Sequence, residues 1–104
     1  MTTEYEFLEE DQRDLDRQAQ ALTFADALKA HRLCEEWTQE EAAQKLGITK
    51  QMLSAYETGK RIPTPRKAYE MASVLGLLPD MAVLLAVNDE LKAHHLPIKM
   101  QLAG

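Results

Sequence analysis

Between Thr38 and Lys60 the chain reads TQEEAAQKLGITKQMLSAYETGK, and its side chains suit hydrogen bonding to base edges and phosphates. Gln51 carries an amide that can bond bidentate to adenine N6 and N7, and Lys50 reaches guanine O6 and N7 or, if its helix tilts, a phosphate. Ala55 lies four residues after Gln51, on the same helical face, and is small enough to admit a thymine methyl. Met52 either extends that apolar contact or packs inward. A second set suits phosphate clamping, which sets register without reading sequence. Gln39 opens a helix whose free N–H groups face an anion. Thr49 caps the reading helix, Lys60 and Arg61 follow Gly59 in a loop, and Arg66 and Lys67 open the next helix.

These side chains need rigid supports. Gln39 to Leu46 carries Ala42, Ala43 and Leu46 at helical spacing, and Gly47-Ile48 interrupts the pattern. Thr49 reopens a helix with Leu53 and Tyr56 as its apolar positions. Two helices joined by so tight a turn, with small residues at their contact, form a helix-turn-helix unit whose second helix enters the major groove. Upstream, Thr23 with Asp26 resembles a capping box, with Asp in place of the usual Glu or Gln, and opens a helix placing Phe24, Leu28 and Leu33 on one face. Glu35-Glu36 ends it, and Trp37 plugs the core before the next helix. Thr38 and Glu41 form a full capping box. Downstream, Thr64 caps a fourth helix with Pro65 at its first position and Ala68, Met71, Ala72 and Leu75 inside. Gly76 stops it.

Glu57 is out of place in a helix that approaches DNA. Its carboxylate is therefore expected to turn inward and pair with Arg32 near the end of the first helix, a structural lock between the two helices.

The formal net charge of −5 disguises an uneven distribution. Residues 1–28 set Arg13 and Arg17 against eight carboxylates, residues 29–67 hold eight basic and five acidic groups, and the remainder two basic and four acidic. The positive balance falls on the segment with the reading helix. The acidic remainder weakens non-specific DNA binding and makes any binding strongly salt-dependent.

Nothing points to catalysis. His31, His94 and His95 are scattered, Cys34 has no partner at metal-ligand spacing, and no glycine-rich phosphate loop is present, so no cofactor or metal is expected. A single cysteine excludes an internal disulfide, and no run approaches the roughly 18 apolar residues of a membrane helix. The first twenty residues are acidic, the reverse of a signal peptide, so a soluble cytoplasmic protein is expected.

The chain divides into an acidic extension over 1–22, a DNA-binding unit over 23–78 and a carboxy-terminal element over 79–104. The extension places Leu8, Leu15, Ala19 and Leu22 at rough helical spacing, which fits a thin amphipathic helix or a frayed arm. Pro79 begins a last helix with Met81, Leu84, Leu85, Val87 and Leu91, too apolar to stand alone in water. After it, Leu96, Ile98, Met100 and Leu102 alternate with other residues at the period of a half-buried strand. A lone strand has no backbone partner, so it either pairs with its copy in a homodimer or is a disordered tail. Leu84, Leu91, Leu96, Ile98, Met100 and Leu102 are the expected dimer contacts.

The span from about Phe24 to Leu77 resembles the phage-repressor and Cro-like regulators of the XRE type. The likeness rests on Leu28 with Arg32, TQEEAAQKLGIT, LSAYETGK and IPTPRKAYEMASVLGL. It implies an all-α, lambda-repressor-like bundle of about five helices, here with an acidic helix before it and a short strand after it. It also implies a phosphate contact at Gln39, base-facing positions at Lys50, Gln51 and Ala55, and an interhelical ion pair between Arg32 and Glu57. The expected activity is transcriptional regulation, as a repressor bound as a dimer to a palindromic operator. The two extensions are similar to those of compact regulators and antitoxins, whose appendages dimerise or bind a toxin or other protein. An antitoxin that represses its own operon, or a protein-binding module on the same scaffold, are the alternatives.

Overall fold

A computed structural model describes residues 22–102 of the chain. Five helices follow in order: α1 (Phe24–Cys34), α2 (Gln39–Leu46), α3 (Lys50–Glu57), α4 (Pro65–Leu75) and α5 (Pro79–Ala93). The expected acidic helix over 1–22 lies outside the described residues, apart from exposed Leu22.

One piece of chemistry starts the first four helices. Thr23, Thr38, Thr49 and Thr64 each adopt an extended backbone, and each hydroxyl accepts from the backbone N–H three residues on. At Thr38 the box closes in both directions, with Glu41 N donating to Thr38 Oγ1 at 3.1 Å and Thr38 N donating to Glu41 Oε1 at 3.0 Å. That hydrogen bonding, from the Thr38 backbone first, holds the Glu41 carboxyl below its ordinary pKa. The box expected at Thr23 is only half made. Asp26 N donates to Thr23 Oγ1, but the shorter Asp side chain does not return the bond, and the nearby Phe24 N–H donates instead to Asp89 Oδ2 of α5 at 2.8 Å.

The helix ends are equally local. Gly47 (φ 68°) takes the left-handed conformation that closes α2, with Ile48 N bonding Ala43 O at 3.0 Å. Glu36 does the same work after α1 at φ 61°, without glycine's freedom, while Trp37 N bonds Arg32 O.

The core collects Phe24 and Leu28 from α1, Ala42 and Ala43 from α2, and Leu53 and Tyr56 from α3. It continues through Ala68, Met71, Ala72 and Leu75 of α4 to Ala82, Leu85 and Ala86 of α5. Helix α3 packs against α1 and α2, leaving its opposite side uncovered. Helix α5 packs on α4 and α1.

Leu33, expected on the inner face of α1, is 56% exposed. Five residues after Leu28 a helix has turned about 140° away, so the third inward position falls on Arg32 instead. Trp37 is half-buried at the core's margin, its ring edge-on to His31 and covered by the Lys45 ammonium at 4.8 Å.

The expected strand over residues 96–102 is not formed: among the described residues there is none, and this segment is irregular. Asn88 of α5 takes the place of a strand partner for one residue. It donates through Nδ2 to Met100 O at 3.0 Å and accepts from Met100 N through Oδ1 at 2.7 Å. A side-chain amide thereby satisfies the backbone groups of Met100, and no second strand is needed for them.

Candidate nucleic-acid interface

The outer side of α3 is set by what its inner side must bury. Leu53, Tyr56 and Glu57 face the core, so residues at the opposite helical angles project outward. Gln51 is exposed there and Ala55 half-exposed, while Lys50, exposed at the helix start, lies at the edge of that side, close to the angle of Glu57. Met52 is half-buried and packs against the core, the inward of its two orientations. Ser54 is a residue that the sequence reading missed. It lies four residues after Lys50, half-exposed between the angles of Lys50 and Gln51, with a hydroxyl that bonds donors and acceptors alike. Helical spacing from Lys50 was the signal that could have found it.

Lys50 has an acidic neighbour that sequence spacing did not suggest. Its Nζ lies 3.3 Å from Glu40 Oε1, both side chains well exposed, so the pair contributes little to stability. Gln39 and Glu40 open α2, and the side chain of Glu40 reaches that of Lys50 at the start of α3.

The inward turn of Glu57 is as expected. Arg32 Nε donates to Glu57 Oε2 at 2.6 Å and Arg32 Nη2 to Oε1 at 3.1 Å, with the two side chains 10% and 2% exposed. Arg32 Nη1 also donates to Trp37 O at 2.9 Å, tying the α1–α2 connection to the same pair. Gln39 joins it: its Nε2 donates to Glu57 Oε1 at 3.2 Å. Arg32, Glu57 and Gln39 thus form one network linking α1, the end of α3 and the start of α2.

The residues expected to clamp phosphates lie before α3, in the loop after it and at the start of α4. Thr49 is engaged as the cap, accepting from Met52 N at 3.0 Å, and its hydroxyl hydrogen remains to donate. Lys60 and Arg61 are exposed in the α3–α4 loop. The Arg61 guanidinium lies 5.9 Å from the Tyr56 ring centroid, and Arg61 N bonds Ala55 O at 3.2 Å, anchoring the loop to α3. Arg66 is almost fully exposed at the start of α4, 3.8 Å from Glu70, while Lys67 is half-buried.

Of the residues expected at a dimer contact, Leu96, Ile98, Met100 and Leu102 are between 46% and 57% exposed, and Leu84 and Leu91 are half-buried on α5. Leu84, Asn88 and Leu91 share one face of α5 by helical spacing, so the segment pinned at Asn88 crosses near those leucines. His94 bonds Glu90 at 2.9 Å on the surface. Among the described residues no helix is long and apolar enough to cross a membrane.

A family model described as helix-turn-helix matches residues 28–81, just over half of the chain. An uncharacterised HTH-type transcriptional regulator of Methanocaldococcus jannaschii is 38% identical over 50 residues, which make up 48% of this chain and 76% of that protein. No solved structure matches at a significant level.

Proposed function

We propose that this chain, which belongs to the XRE-type helix-turn-helix family, reads a specific operator through the outer face of α3 and represses transcription by occupying it as a homodimer. That it is a DNA-binding transcription regulator follows from the family. The finer reading rests on one observation: Lys50 and Gln51 are exposed and Ser54 and Ala55 half-exposed on α3, with Thr49 before them, Lys60 and Arg61 after them, and Gln39 bonded to Glu57 at the end of the helix. Gln51 and Lys50 serve as base readers, Ala55 as the contact for a thymine methyl, and Gln39, Thr49, Lys60, Arg61 and Arg66 as phosphate contacts. Residues 23–78 make up the DNA-binding unit and 79–104 the dimerisation element, in an intracellular, cytoplasmic setting.

The dimer reading draws on the exposed alternation of Leu96, Ile98, Met100 and Leu102 beside the Leu84 and Leu91 face of α5. A second copy meeting this surface covers apolar area that water otherwise wets. In such a dimer the two α3 helices stand about 34–36 Å apart, one turn of duplex, so that both enter successive major grooves on one face.

The phosphate assignments are tested by titrating a labelled duplex across a range of salt concentrations. Lys60→Ala and Arg61→Ala each weaken binding to cognate and scrambled duplexes alike and lower the salt slope by about one unit. An unchanged slope places that residue off the DNA.

A further inference from the structure

We infer that Glu57, beyond locking α1 to α3, is the residue that positions Gln39 for its phosphate contact. The inference rests on the proposed DNA contact of Gln39. A glutamine side chain at a helix start has several rotamers and two amide orientations, and only some of them present a donor outward. In this protein the Gln39 Nε2 is held 3.2 Å from Glu57 Oε1, and Glu57 is in turn held by two bonds from Arg32. A carboxylate only accepts, so it rejects the flipped amide in which the Gln39 oxygen would face it. The nitrogen is thereby kept where the start of α2 meets the end of α3, one N–H engaged by Glu57 and the second left as a donor for a phosphate oxygen. The free backbone N–H groups of the first turn of α2 lie beside it. The same carboxylate ends the reading helix, so the contact that sets register on the backbone is coupled directly to the element that reads the bases.

The sign of the effect separates this role from simple electrostatics. Glu57 is an acid next to a DNA-binding surface, and removing its charge should tighten binding if charge alone mattered. A positioning role makes its loss weaken binding. Replacing both partners of the ion pair, as Arg32→Met with Glu57→Met, leaves the net charge unchanged and removes the acceptor for Gln39 without stranding a buried guanidinium.

The experiment is a double-mutant cycle read by fluorescence anisotropy on a labelled random-sequence duplex at low salt, with thermal melts confirming that each variant is folded. The double Met variant and Gln39→Ala are each expected to weaken binding about tenfold or more, the size of one hydrogen bond to a charged group. The triple variant is expected to bind no more weakly than Gln39→Ala alone. Independent, multiplying losses, or a double Met variant that binds as tightly as the wild type, overturn the positioning role. A Gln39→Ala protein with wild-type affinity removes the phosphate contact, and the inference with it, while leaving DNA binding intact. A wild-type protein that does not bind the duplex removes the DNA-binding reading itself. A variant-free check comes from the wild-type amide spectrum. One Gln39 side-chain proton is expected to be protected from exchange, and free exchange of both overturns the contact to Glu57.

Discussion

Truncating Glu57 to alanine strands the Arg32 guanidinium in the place where two of its donors now meet a carboxylate 2.6 and 3.1 Å away. The Arg32 side chain is only 10% exposed and that of Glu57 2%, so water does not readily replace the lost partner. Gln39 loses its acceptor in the same step. Breaking a buried pair from one side costs about 3–5 kcal/mol, because the surviving charge stays desolvated. For a domain of this size that lowers the melting temperature by on the order of 15–30 °C. With a urea slope near 1 kcal/mol/M it moves the denaturation midpoint down by about 3 M or more. Urea denaturation followed by circular dichroism measures the loss, and Arg32→Met with Glu57→Met is the control, expected to lie within about 1–2 kcal/mol of the wild type. A loss below about 0.5 kcal/mol for Glu57→Ala refutes the reasoning, since it would place the carboxylate in water. An equal loss in the control would show that packing, not the stranded charge, is responsible.

Truncation after His95 removes the exposed apolar residues from Leu96 onward and is expected to shift a dimer toward monomer in sedimentation equilibrium; an intact chain that runs as a monomer contradicts the dimer, and equal dimerisation of both forms moves the interface to α5. Asp89 gives a pH-dependent test. Burial pushes its pKa above the ordinary carboxylate range, partly offset by the Phe24 N–H and the Lys92 charge. Only between the unfolded value and the raised folded value does the folded chain hold a proton that the unfolded chain has released, so this group favours folding at acid pH and its contribution is lost as pH rises through the folded value. Asp89→Asn, which keeps an acceptor for Phe24 N, is expected to melt higher than the wild type at pH 7 and to converge with it at acid pH; a lower melting temperature at pH 7 shows the carboxylate to be a net stabiliser.

The parts of this fold that were legible in the sequence are those whose chemistry is local. Four threonines start four helices by accepting from a backbone N–H three residues away, and Gly47 and Gly76 end two of them in the left-handed conformation. These signals need no knowledge of the rest of the chain. The Arg32–Glu57 pair spans 25 residues and was still legible, because an acid in a helix expected to face DNA is anomalous and Arg32, near the end of the first helix, was the most plausible cation to answer it. Contacts without such an anomaly were not. The Gln39–Glu57 bond joins residues 18 apart, and the Phe24–Asp89 bond joins residues 65 apart; each depends on how helices stack rather than on spacing. The alternation in residues 96–102 is the period of a strand, but period alone supplies no partner for the backbone. Asn88 provides one for Met100, and a side chain twelve residues away carries no sequence mark of that role. Leu33 was misplaced for a simpler reason, since five residues along a helix is not a return to the same face.

The central claim is that α3 reads sequence through Gln51. Selection of bound duplexes from a random pool, followed by titration of the selected site and a scrambled control, tests it directly. The wild type is expected to enrich a palindrome whose half-sites lie about one helical turn apart. Gln51→Ala is expected to lose about 1–3 kcal/mol on that site, relax preference at one base pair in each half-site, and bind the scrambled duplex almost as the wild type does. An unenriched pool, or a Gln51→Ala loss that is equal on both duplexes, contradicts it.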